Sequence, residues 1–124
     1  KAIQSLIKKK YVNSVHDISS GGILLSLVEM CISGKIGAKI KITRNRLSLH
    51  EYLFGEDQSR YLVEVKQEHK DEVSKILEKN SIYYEIIGQT QKDNLTMDKD
   101  FNIDIFELAK LNSLWFKNYF NEKN

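Results

Sequence analysis

The feature that most restricts what this chain can fold into is a pair of adjacent glycines, Gly21-Gly22, set between two differently patterned segments. Val12 to Ile18 alternates in the manner of a short strand, whereas Ile23, Leu24, Leu27, Val28 and Cys31 recur at helical spacing. Glycines at such a junction allow the left-handed backbone of a tight bend, so the stretch reads as strand, turn and helix. The same turn aims backbone N–H groups and the positive end of a helix dipole outward, where an anion can sit. Ser19 or Ser20 can equally cap the helix, the glycines then serving only the bend. Both roles fit the residues.

The flanking segments extend this pattern. Ala2 to Ile7 reads as a helix through Ile3, Leu6 and Ile7, and Lys8-Lys9-Lys10 as its solvated end, where cations favour the dipole. Gly34 is the expected left-handed cap of the second helix. A strand is predicted over Gly37–Ile42, with Ala38, Ile40 and Ile42 on one face and Lys39 and Lys41 on the other. A short helix capped by Ser48 runs to Phe54, and after a polar turn at 55–59 a strand over Arg60–Val65 places Tyr61, Val63 and Val65 on one face. A helix over Lys70–Lys79 and a β-rich run over Ile82–Gly88 resemble half of a ferredoxin-like unit. A turn near Gln91–Asn94, a weak strand at Leu95–Met97 paired with that run, and an extended piece through Phe101, Ile103 and Ile105 follow. The last helix carries a stripe of Leu108, Leu111, Trp115 and Tyr119, widened by Phe116 and Phe120, which reads as core. The sum is an α/β (α+β) layered sandwich with a mixed or antiparallel sheet, and 124 residues suit one domain over 1–124.

Charge excludes some function classes. A net charge of +2 is too weak a field to argue for nucleic acid or a membrane surface, and no apolar run approaches the ~20 residues of a bilayer span. A single cysteine, Cys31, cannot form an internal disulfide and lies in an apolar stretch, so it reads as a buried thiol in a reduced, cytoplasmic protein. No zinc-type spacing occurs, and no metal site is read. His50 and His69, in polar surroundings, are expected at the surface. The chain opens on a helix already in progress, without an initiator Met, and is therefore expected to be excised from a longer one.

The wording of the turn carries a resemblance. His16-Asp17-Ile18-Ser19 followed by Gly21-Gly22, then Leu25, Glu29 and Met30, resembles the HDxSxGG-then-helix signature of the formylglycinamidine ribonucleotide synthetases. Leu53-Phe54-Gly55-Glu56-Asp57-Gln58-Ser59-Arg60-Tyr61 resembles that family's LFGE segment, and the order and separation of the two also match. With Gly88 and the closing helix the resemblance covers nearly the whole chain. Ser20 departs from it, since the family commonly has an acidic residue there.

The resemblance implies the C-terminal domain of a purine-biosynthetic ligase, with the C-terminal-domain fold of aminoimidazole ribonucleotide synthetases. It implies ATP and Mg2+ bound mainly outside this segment, preceding ATP-binding domains in the same subunit, and a glutaminase subunit and a small accessory subunit as partners. His16, Asp17, Ser19, Gly21 and Gly22 become candidates for a phosphate or ligand turn. Glu56, Asp57, Gln58 and Arg60 become candidates for a ligand or interface loop, with Arg60 and Asp57 able to form a local ion pair. No residue is assigned as catalytic, and His16 is expected to position rather than to act as a base. A stand-alone module that binds a nucleotide or phosphorylated metabolite through the same turn, or another ATP-dependent enzyme of the superfamily, are the competing expectations.

Overall fold

A computed structural model describes residues 1–41, 48–56, 59–98 and 100–121. In chain order these form α1 (Ala2–Lys8), β1 (Val12–Asp17), α2 (Gly22–Gly34), β2 (Gly37–Ile40), α3 (Leu49–Phe54), β3 (Tyr61–Val65), a single 3-10 turn (Gln67–His69), α4 (Lys70–Lys79), β4 (Gly88–Gln91), β5 (Asn94–Met97), β6 (Phe101–Asp104) and α5 (Ile105–Asn121). The chain divides into two compact units, the first made of 1–26 and 52–86, the second of 27–51 and 87–124. None of the described helices is long and apolar enough to cross a membrane.

In the first unit β1 and β3 pair antiparallel, with Val15 opposite Val63, His16 opposite Leu62 and Asp17 opposite Tyr61. Leu6, Ile18, Ile23, Leu53, Leu62 and Val73 are its buried apolar residues. The register turns Leu62 inward, and Tyr61, which alternates with it, is 51% exposed. Helix α1 ends as its lysines suggest: Lys10 takes a left-handed φ of 58°, and Lys8, Lys9 and Lys10 are exposed. His69 departs from its expected surface position, being half-buried with its ring stacked on Tyr11 at 4.3 Å.

The second unit holds a mixed sheet in the order β4-β2-β5-β6. Strand β2 runs antiparallel to β4 and parallel to β5, and β5 runs antiparallel to β6. Buried Ala38 and Ile40 lie directly opposite buried Leu95 and Met97, which in turn face Ile103 and Phe101. The period-two pattern of β2 therefore sets the inward row of the sheet, with Lys39 exposed. Ile42, the last residue expected in that strand, lies outside the described residues. Cys31 is buried, as expected of its apolar stretch.

Four further expectations need correction. Helix α2 continues through Gly34, and the left-handed residue that ends it is Lys35, at φ 52°. The run Ile82–Gly88 does not form the return strand of a ferredoxin-like half: the strand begins only at Gly88 and extends to Gln91, where a turn was expected. A side chain at Gly88 would collide with the Lys39 carbonyl, so the close approach to β2 starts where the chain has none. Residues 83–85 are held instead through side chains, Tyr83 bonding to Glu85 and Tyr84 to Glu78. Strand β5 pairs with β2 and β6 rather than with the 82–88 run.

The fourth concerns the aromatic stripe, which is not core. Every described side chain of α5 from Lys110 onward is exposed, with Leu111 at 64% and Trp115 at 62%. A helix of 17 residues is about 26 Å long, whereas its neighbour β6, four residues, spans only about 13 Å. Coverage is complete at Ile105 and partial at Leu108 and Ala109, and at the start of the helix Asp104 Oδ1 accepts from the N–H groups of Phe106 and Glu107.

Candidate functional site

The two motif segments meet in the first unit. As β1 ends, the Ile18 N–H donates to the Arg60 carbonyl at 2.9 Å, prolonging the pairing of Asp17 with Tyr61 and drawing the segment before β3 against the segment after β1. The chain then turns through Gly21 and Gly22, both in the left-handed region at φ 81° and 67°. A Cβ on Gly22 would lie 2.5 Å from the Leu53 carbonyl oxygen and 2.7 Å from Phe54 Cα, so the turn packs directly on the end of α3. A Cβ on Gly21 would lie 2.7 Å from Leu25 Cδ2. Glycine is thus demanded twice, by conformation and by space.

A helix leaves its first amides unsatisfied, and two amides of the turn that leads into α2 find partners in the chain itself. Ser19 contributes its backbone carbonyl, which accepts from the Gly22 N–H at 3.1 Å. The Gly21 N–H donates to Glu56 Oε1 at 2.9 Å, across 35 residues of sequence. A carboxylate is a favourable group at this dipole end. Behind the turn, Ser26 is 2% exposed, and its hydroxyl donates to the carbonyls of Gly22 at 3.1 Å and Asp17 at 3.4 Å. Ser26 was visible in the sequence only as a polar break in the apolar run Ile23–Ile32.

His16 and Asp17 stand at the end of β1. The His16 Nδ1 lies 2.6 Å from the Asp17 carbonyl oxygen, which can only accept, so Nδ1 carries the proton. The Asp17 carboxylate is 4.0 Å from the same nitrogen and largely exposed. Asp57 and Gln58 lie outside the described residues, as does the ion pair expected between Asp57 and Arg60. The Arg60 guanidinium sits 5.9 Å from the centre of the Tyr52 ring. The Tyr52 hydroxyl donates to Glu85 Oε2 at 3.1 Å, and the Tyr83 hydroxyl bonds to the other carboxylate oxygen. Burial, with the Glu85 carboxylate beside it, pushes the Tyr52 phenol up to about 12. Neither spacing nor composition connects Tyr52 with Glu85, 33 residues apart.

Chemically, the described residues build a turn held by backbone and carboxylate hydrogen bonds. Among the described residues no three His, Cys, Asp or Glu side chains gather so as to hold a metal ion. The Gly21 amide is already bonded to a carboxylate of the chain.

A family model described as AIR synthase related protein, C-terminal domain, matches residues 1–99. The phosphoribosylformylglycinamidine synthase subunit PurL of Pelagibacter ubique (strain HTCC1062) is 40% identical over 117 residues, which are 94% of this chain and 16% of that protein. Its namesake from Bartonella quintana (strain Toulouse) is 34% identical over 121 residues, 98% of this chain and again 16% of the relative. Among solved structures, Thermotoga maritima PurL complexed with ATP superimposes with a TM-score of 0.73 at 19% identity, covering 87% of this chain and 20% of that one. PurLQS from Thermotoga maritima gives 0.75 at 19% identity with the same coverage. These structural likenesses bear on the fold, which is the mixed α/β architecture described above. The chain spans 16% of the length of the two curated relatives.

Proposed function

The chain belongs to the family of AIR synthase related C-terminal domains, and from that premise we propose that it is the closing domain of a phosphoribosylformylglycinamidine synthase large subunit. The observation that carries this reading is that similarity to the PurL relatives runs over 94% and 98% of the chain, past residue 99 where the family model stops. The similarity thus includes α5, an element outside the shared domain. The proposed reaction converts formylglycinamide ribonucleotide, ATP and ammonia to the amidine, ADP and phosphate. Phosphorylation of the amide oxygen makes it a leaving group, ammonia adds at the carbon, and the oxygen departs as phosphate.

This chain's own part is structural and ligand-closing. The Gly21 amide is bonded from within the chain, in keeping with a structural part, and the nucleotide and metal chemistry are assigned, as the resemblance implies, to preceding domains of a longer subunit. The PurLQS structure of Thermotoga maritima supports an assembly with further subunits, read here as a glutaminase and a small accessory protein in the cytoplasm. The test is ammonia-dependent amidine formation with ATP. The 124-residue chain alone is expected to give no turnover, and a subunit carrying it behind an ATP-binding domain is expected to be active. Turnover by the isolated chain overturns the reading.

A further inference from the structure

We propose that Glu56 is a positioning residue, a clasp whose carboxylate on the Gly21 amide locks the segment after α3 onto the glycine turn, rather than a ligand-binding group. The inference rests on the geometry of the first unit and holds whatever reaction the parent protein performs. Three contacts fix the second motif on the first. At its start, the backbone of Leu53 and Phe54 lies where a Gly22 side chain would be. At its end, the Arg60 carbonyl accepts from Ile18. Between them Glu56 accepts from the Gly21 amide, while the next amide, that of Gly22, is bonded to the Ser19 carbonyl. A carboxylate suits that place twice over, as an acceptor for an unsatisfied amide and as a negative charge at a helix start. Removing the side chain leaves Gly21 without its acceptor while the contacts at Leu53 and Arg60 remain.

The clasp predicts an effect confined to one amide. Hydrogen exchange of the 124-residue chain, read residue by residue by NMR, is expected to show Gly21 exchanging about fivefold to tenfold faster in Glu56→Ala, with Gly22 unchanged. Glu56→Gln, whose amide oxygen has the same reach, is expected to restore most of the protection. Glu56→Asp, charged but shorter, is expected not to. Should Glu56→Ala fail to fold, the contrast between Gln and Asp decides alone. Inorganic phosphate is expected to leave the wild-type Gly21 resonance unmoved. Unchanged Gly21 exchange in Glu56→Ala, equal protection in the Gln and Asp variants, acceleration shared by all amides of the unit, or a saturable shift with phosphate overturns the proposal.

Discussion

At the scale of single residues, the most constrained position is Gly22. Its φ of 67° and the Leu53 carbonyl 2.5 Å from where a Cβ would stand make even alanine both strained and crowded. Gly22→Ala is expected to lower stability by about 2 kcal/mol or more, seen as a reduced urea midpoint at unchanged slope. Tyr52 gives a second residue-level outcome. Its phenol is held neutral to about 12, above the ordinary 10, so its contribution to stability is complete below pH 10 and is lost as pH rises through 12. An ultraviolet titration should show a tyrosinate forming near pH 12 that Tyr52→Phe removes. The glycine bend was legible in the sequence because it is a local demand of two adjacent residues. The Glu56 bond to Gly21 was not, because a contact across 35 residues follows from strand pairing and leaves no periodicity to read. Glu56 and Gly21 were both singled out, yet nothing in their spacing joined them.

At the scale of elements, local capping chemistry was readable and partner choice was not. Ser48 starts α3 as its type suggests, and the capping is reciprocal: the Glu51 N–H donates to the Ser48 hydroxyl at 3.3 Å, and the Ser48 N–H to Glu51 Oε2 at 2.8 Å. Hydrogen bonds from the Ser48 hydroxyl side and backbone hold the Glu51 carboxyl below its ordinary 4.5. Its stabilising contribution is therefore present above pH 4.5 and is lost as pH falls through the lower folded value. Thermal melts of Ser48→Ala between pH 7 and pH 3 are expected to show a smaller acid loss than the parent chain. Strand β4 shows the opposite case. Residues 82–87 have the β-branched and aromatic composition of a strand, whereas Gly88–Gln91 is mostly polar and exposed, yet only the latter forms one, the Ile87 carbonyl accepting a single bond from Lys41. An edge strand needs a free neighbour more than it needs apolar residues, and β2 supplies that neighbour from 48 to 54 positions upstream.

At the scale of the whole molecule, α5 and the division of the chain into units matter most. The helical period of the aromatic stripe was correctly legible, but period reports that a face exists, not what lies against it. Trp115, the single tryptophan, is 62% exposed, so its emission in the isolated chain is expected to be that of a wetted indole, readily quenched by iodide. Leu111→Lys is expected to change stability by no more than about 0.5 kcal/mol, measurable by the same denaturation. A blue-shifted, shielded emission would show that the helix is covered in this chain. The two units, in turn, are each assembled from two separate stretches, and the chain passes from one to the other three times, after Ser26, after Glu51 and after Ile86. No single break in the polypeptide can release either unit whole. A recombination point anywhere between residues 27 and 86 would hand each offspring gene part of both, so this stretch of coding sequence can be inherited or transplanted only as one block.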